Sequence, residues 1–460
     1  MKSNYKKLFE NIGIFTLANF ASRFLSFLIL PLYTYYLSTE EYGTLDLVST
    51  TTQLAFPIFT LAISDAVMRF GISHKDKDKI LSIGFSITII GLIPLVLMSC
   101  FAGIFIENFR VILYFIIIYF VQAMNSLFSA FTKAIDKTKA MATITTLTSL
   151  AILILNVCFV AGFKWGVEGY WISTILGNLT GIIMYFLICK IHRYFTLDLR
   201  NGISKNLLLE MLAYSIPLIP NALFWWINSS LDRWTLTFFT SVSVVGLYSC
   251  ANKIPTILST VNSIFNQAWN LSLFQNEDSE RSNFFCNVYK YYSDIMFCCT
   301  IGIIWLSKVI GTYMFSNEFF SAWIFVPVLT IGVYYNSLNG FFGSLFTASK
   351  KTKYIFTTTL TGSIVNLIFN IPLVLIGGAM GAAVATLISY LAVCVVRVAK
   401  MKKIFNIKLD LRIELLRFIL LLVESYLILT EKLYWVVTLF VVIYCILFLS
   451  KILKNKKSRR

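Results

Sequence analysis

Fourteen apolar stretches, most of about 20–27 residues, account for most of this 460-residue chain. They lie near 12–37, 44–70, 80–106, 111–132, 141–163, 167–190, 211–239, 242–270, 288–315, 322–347, 354–376, 379–400, 411–429 and 433–453. A helix rises 1.5 Å per residue and crosses a bilayer core of about 30 Å in ~20 residues. Inside hydrocarbon every backbone N–H and C=O needs an internal partner, so only helices and closed barrels can span. No ten-residue alternating pattern repeats, which argues against barrel strands. The expectation is an all-α membrane protein with about 14 transmembrane helices. Only 13% of residues are charged and the mean hydropathy is +0.77. A soluble domain carries about 25% charged residues, so polar surface is too scarce here for a water-soluble globule. The first stretch holds Arg23 and lacks a small-x-small cleavage site, so it is expected to stay as a span.

The net charge of +17 raises nucleic acid as a partner, but its distribution argues against that. Lys and Arg collect in alternate turns: Lys75, Lys77 and Lys79 after span 2, then Lys133, Lys137 and Lys139 after span 4. Lys190, Arg193 and Arg200 follow span 6, Lys350, Lys351 and Lys353 follow span 10, and the chain ends KNKKSRR. The intervening turns, such as Ser38–Thr39–Glu40–Glu41, are poor in both. By the positive-inside rule the basic turns and both termini are cytoplasmic, and the span count is even.

The chain also repeats itself. NSLFSAFTKAIDKTK at 125–139 returns as NGFFGSLFTASKKTK at 339–353, an offset of 214. Asn125 aligns with Asn339, Phe128 with Phe342, and Lys137–Thr138–Lys139 with Lys351–Thr352–Lys353. Gly169 and Thr174 match Gly381 and Thr386 at offset 212, and Gly43 matches Gly246 at 203, each expected in a turn. A period near 210 residues marks a duplicated transporter bundle. Six spans per half start both halves on the same face, which implies a pseudo-twofold along the membrane normal and a cavity between the bundles. The expected organisation is an N-terminal bundle at 1–190, a cytoplasmic linker at 191–210 and a C-terminal bundle at 211–400. Helices 13–14 at 401–453 and a basic tail at 454–460 follow.

No Ser/His/Asp or metal-ligand cluster appears, and no GxxxxGK[ST], so no catalytic residue, metal or cofactor is expected. Polar groups inside spans remain, and these are costly unless they meet a partner or a cavity. Arg23 lies about 16 Å deep at 1.5 Å per residue, near the midplane. Its planar fork suits phosphate. Asp65 and Arg69 sit one turn apart on span 2 and are expected to pair, Asp65 being the deeper and a candidate for H⁺ or Na⁺ coupling. Asn221, Trp225, Asn228 and Asp232 are spaced four, three and four residues, so they share one face of span 7. Amides, a ring and a carboxylate suit a sugar, although hydrogen bonds between helices fit the same spacing. Arg233 points about 100° away from that face. On span 8, Lys253 needs a partner, for which Asp232 is the expected one, and Ser259, Asn262, Ser263, Asn266 and Asn270 form a polar stripe. Glu424 is isolated in span 13.

The run LPLYTYYLSTEEYGTLDL (30–47) resembles the end of helix 1 and the following turn of bacterial polysaccharide repeat-unit flippases, in the multidrug/oligosaccharidyl-lipid/polysaccharide exporter superfamily. SVSVVGLYSCANKI (241–254), after Leu231–Asp232–Arg233, is its counterpart in the second half. With two-times-six-plus-two spans, the resemblance covers the whole chain. It implies a non-enzymatic carrier for an undecaprenyl-pyrophosphate-linked oligosaccharide in the bacterial cytoplasmic membrane, serving O-antigen or capsule synthesis. By that resemblance Arg23, Arg233 and Lys253 would meet pyrophosphate or acidic sugars, and Asp65 and Asp232 would serve ion coupling. It also implies membrane lipids, H⁺ or Na⁺, and a polymerase with chain-length machinery as partners. From position alone Arg69 is a further substrate contact or an interfacial anchor, and Trp225, Asn221 and Asn228 are the candidates for the glycan. Lipid II flippases of the superfamily look richer in midplane cations in the first half, which weighs against a peptidoglycan role. A lipid II flippase and a cation-coupled multidrug antiporter stay open as alternatives. A glycan polymerase would need a larger outer loop than any present.

Overall fold

The computed structural model describes residues 27, 29–104, 108–195, 204–275, 278–349, 351–405, 411–431, 437, 438, 441 and 444, without the side chains of 267, 268, 270–284, 317, 352 and 411. The chain is an all-helical membrane protein. In order the helices are α1 Leu30–Tyr36, α2 Thr39–Phe59, α3 Ile63–Ser73, α4 Lys77–Ala102, α5 Phe109–Ala134, α6 Thr138–Asn156 and α7 Gly166–Ile188. Then come α8 Lys205–Ser215, α9 Ile219–Phe239, α10 Val242–Lys253, α11 Thr256–Gln275, α12 Asp278–Met314, α13 Val326–Ala348, α14 Thr352–Phe405 and α15 Leu411–Leu429. Among the described residues eight segments are long and apolar enough to cross a membrane, or nine if the bent pair α2–α3 is one span. One of them, Lys353–Phe405, has 53 residues. At 1.5 Å each that is about 80 Å, more than twice the bilayer core. Gly378 divides it, with φ 53° and ψ −129°, a left-handed turn that suits a residue without Cβ. The expected turn at Gly377–Gly378 is this one.

The chain falls into two compact units, Met1–Trp226 and Ile227–Arg460, dividing inside α9. Within each, the internal repeat builds the same local structure. Ser38 caps α2 and its hydroxyl accepts from the Glu41 N–H at 3.1 Å, while the Glu41 carboxylate accepts from the Ser38 N–H at 2.8 Å. That reciprocal pair satisfies two orphan donors of the helix start. Ser241, 203 residues later, caps α10 by accepting from the Val244 N–H at 3.3 Å. At the end of α5 the Lys137 N–H reaches back to the Thr132 carbonyl at 3.1 Å, and at the end of α13 the Lys351 N–H does so to Phe346 at 2.8 Å. The Asn125 amide of α5 donates to the Asn178 carbonyl of α7 at 2.8 Å. The Asn339 amide of α13 donates to the Tyr390 carbonyl of α14 at 2.9 Å. Asparagines aligned at offset 214 thus tie down carbonyls 212 residues apart, so the duplication extends to helix–helix seams.

Several boundaries differ from expectation. Span 2 is broken: α2 and α3 meet at 54°. Leu61 (φ 51°) and Ala62 (φ 50°) both take left-handed conformations at the break. The sequence marks no break there, because the nearest proline, Pro57, lies inside the unbroken α2. Span 8 is broken at Ile254–Pro255 between α10 and α11, where proline removes a backbone donor. Gly43 and Gly246 lie not in turns but inside α2 and α10, just past the caps. Span 9 starts earlier than expected, α12 beginning at Asp278.

Candidate functional site

Buried charge is the scarce feature of such a chain. Among the described residues the buried charged side chains are Asp232, Asp294, Arg397, Arg417 and Glu424, all in the second unit. In the first unit, Asp65 and Arg69 of α3 are both exposed.

On α9, Asp232 and its sequence neighbour Arg233 form a tight pair, Nη1 to Oδ1 2.7 Å. The same guanidinium donates to the Ser229 carbonyl at 2.6 Å and lies 5.3 Å from the centre of the Tyr248 ring. The Tyr248 hydroxyl donates to the second Asp232 oxygen. The 100° between consecutive positions is overcome by the length of the arginine side chain, which folds back along its own helix. These contacts occupy Asp232, so the expected pairing of Asp232 with Lys253 does not form. Lys253 sits half-buried at the end of α10, where its carbonyl accepts from Thr256.

The stripe expected on α9 divides. Asn221 is exposed and Trp225 is 55% exposed. Asn228 is buried: its amide donates to Ser363 Oγ at 2.6 Å and its carbonyl oxygen accepts from Ser389 Oγ at 3.0 Å. Asn228 therefore ties α9 to both arms of α14, as a seam residue. On α11, Asn262 Oδ1 accepts from Asn266 at 2.8 Å and from the Tyr292 hydroxyl at 2.6 Å, again a seam, with α12. The Asn270 side chain and Arg23 lie outside the described residues. Asp65 and Arg69 do not pair as expected. The Arg69 guanidinium stacks 4.7 Å above the centre of Tyr214 on α8, which turns it from the carboxylate.

A larger polar cluster escaped the sequence reading. Glu414 of α15 accepts from the Tyr289 hydroxyl at 2.8 Å, from Arg417 Nη1 at 2.7 Å and from the Tyr334 hydroxyl at 3.0 Å. Arg417 Nη2 donates to Asp294 of α12 and lies 5.4 Å from the Phe297 ring centre. On α14, Arg397 donates to Thr358 Oγ1 at 2.9 Å, to Thr359 Oγ1 at 3.3 Å and to the Asn339 carbonyl. Its acceptors are all uncharged. The signal was present, since each of these charges stands inside an apolar stretch, but near span ends such residues read as interfacial anchors. Arg233 pairs with Asp232 and Arg417 with both Asp294 and Glu414, while Arg397 meets only uncharged acceptors and Glu424 stands apart.

Such an arrangement offers fixed charges, aromatic faces and amides inside a membrane protein, which suits binding and carriage. A family model described as polysaccharide biosynthesis protein matches residues 8–270. The fold is similar to that of the lipid II flippase MurJ in an inward closed conformation, at 18% identity and TM-score 0.71, covering 96% of this chain and 99% of that one. It is also similar to an inward-facing multidrug resistance MATE family transporter of the MOP superfamily, at 12% identity and TM-score 0.65, covering 85% and 95%. A third likeness, at 12% identity and TM-score 0.54, is to a MOP superfamily transporter from Pyrococcus furiosus, described as having a binding pocket of reversed polarity and covering 86% of this chain and 95% of that one. No protein of curated function matches the sequence.

Proposed function

Because the chain belongs to the polysaccharide biosynthesis protein family, we propose that it flips a lipid-linked oligosaccharide repeat unit, carried on undecaprenyl pyrophosphate, from the cytoplasmic to the outer leaflet. The observation that carries this reading is the end-to-end match to a flippase of a lipid-linked cargo, 96% of this chain, against 85% for the multidrug transporter. The product would be a surface polysaccharide such as O-antigen or capsule, handed to a polymerase and its chain-length machinery. The movement is alternating access driven by a gradient of H⁺ or Na⁺. The membrane is the bacterial cytoplasmic one, with both termini cytoplasmic, as the alternation of basic turns supports. The halves at 1–190 and 211–400 are the moving bodies.

Arg69 and the half-buried Lys253, together with Arg23, meet pyrophosphate or acidic sugars, and the exposed Trp225 and Asn221 meet the glycan by stacking and hydrogen bonding. Arg233 is held by Asp232 and Tyr248 and contributes a fixed cation, while Asn228 positions its helix. Asp65 is exposed and unpaired with Arg69, which supports it as a coupling group.

The test is deletion of the gene followed by extraction of glycolipids. Surface polysaccharide is expected to disappear while the lipid-linked repeat unit accumulates, and Arg23→Ala is expected to reproduce this at normal protein level in the membrane. Unchanged polysaccharide with new sensitivity to cationic compounds would overturn the reading in favour of a multidrug antiporter.

A further inference from the structure

Glu424 lies on the packed face of α15 with Arg417, Leu421, Ser425 and Ile428, all buried. It is 3% exposed, and neither carboxylate oxygen has a hydrogen-bond partner. Two contacts fix its surroundings. Arg417 meets Asp294 and Glu431 meets Lys308, and both pairs are separated by 123 residues. A constant separation means that α15 and α12 run parallel in one register. It places Glu424 level with Ile301, between the fully buried Thr300 and Ile304. The Thr300 hydroxyl is spent on the Met296 carbonyl.

Between Asp294 and Lys308 of α12, the stretch level with Glu424, and on α13, the described ionisable groups have partners of their own. On α12, Asp294 is paired with Arg417 and Lys308 with Glu431, and Cys298 and Cys299 make their own contacts. On α13, the Tyr334 hydroxyl donates to the Glu414 carboxylate and Tyr335 to its carbonyl. The Tyr444 ring meets Phe297 edge to face, centroids 4.9 Å apart. On α15 itself, Arg417 is two turns away and shared by two acids. The buried charges already balance without Glu424. Among the described residues no cation reaches Glu424, and a bare carboxylate so buried is costly, whereas a neutral carboxyl forgoes only hydrogen bonds.

We propose that Glu424 is a proton-binding site outside the duplicated helices, loaded in this conformation and emptied in another, so that proton movement drives the conformational cycle. The step is a simple protonation: the carboxylate takes H⁺ from the aqueous phase, becomes neutral, and is enclosed. This deepens the transport reading and rests on it for the coupling, but the site itself stands on its own contacts.

The protein in lipid is tested by infrared spectroscopy with the proton as the only ligand. At neutral pH the wild type is expected to show a protonated-carboxyl stretch of a dry environment that disappears in Glu424→Gln. Its absence, or its persistence in the variant, would overturn the site. In cells, Glu424→Gln mimics the loaded form and is expected to keep membrane abundance while surface polysaccharide is lost. Glu424→Asp is expected to restore part of it. Full polysaccharide with Glu424→Gln would overturn the coupling. If the wild-type gene is dispensable for polysaccharide, the flippase reading fails and the infrared result still decides the site.

Discussion

Asp232 shows how a residue can be legible in type and illegible in role. Its place on a polar face of span 7 was readable from spacing alone, because helical periodicity is local. Its partners were not, because the reach of Arg233 and the approach of Tyr248 depend on rotamers and on the packing of α10. The same holds for Asn228, whose bonds to Ser363 and Ser389 decide for a seam over a sugar contact. Removing one member of a buried pair strands the other, at a cost of about 3–5 kcal/mol. Asp232→Ala is accordingly expected to lower the melting temperature and the detergent-soluble yield. Asp232→Ala combined with Arg233→Ala should recover part of both. Equal loss in single and double variants would show that the carboxylate acts alone.

Among the elements, those whose limits are written in neighbouring residues were the readable ones. Ser38 and Ser241 start helices, the two KTK turns end them, and Gly377–Gly378 turns a hairpin. The α2–α3 bend was unreadable, since neither Leu61 nor Ala62 favours the left-handed conformation it adopts. Such a conformation costs a non-glycine residue about 1–2 kcal/mol, and only surrounding packing can impose it. The hairpin in α14 makes a sharp prediction. A Cβ on Gly381 would lie 1.8 Å from the Leu373 carbonyl oxygen, whereas one on Gly302 would meet nothing within 4 Å. Gly381→Ala should therefore abolish folded protein by size-exclusion chromatography. Gly302→Ala should leave it unchanged or slightly raise its stability, since alanine favours helix by about 1 kcal/mol.

For the whole molecule, charge asymmetry across the membrane predicts topology. In a variant with the nine native cysteines replaced, Thr240→Cys should react with an impermeant maleimide in intact cells, and Lys137→Cys only after lysis. Reaction of both in intact cells would refute the odd number of spans, three, expected between them and with it the reading of the basic turns. The pairing of Asp294 with Arg417 bears finally on how such a chain is made. During synthesis the acid leaves the ribosome 123 residues ahead of its base, after several intervening segments have been threaded into the translocon. Insertion of α12 therefore has to tolerate a lone carboxyl for many seconds, protonated or sheltered, until α15 arrives. The first unit has no such wait among its described helices, so nascent chains stalled after residue 405 should be degraded, while chains stalled after the first unit persist.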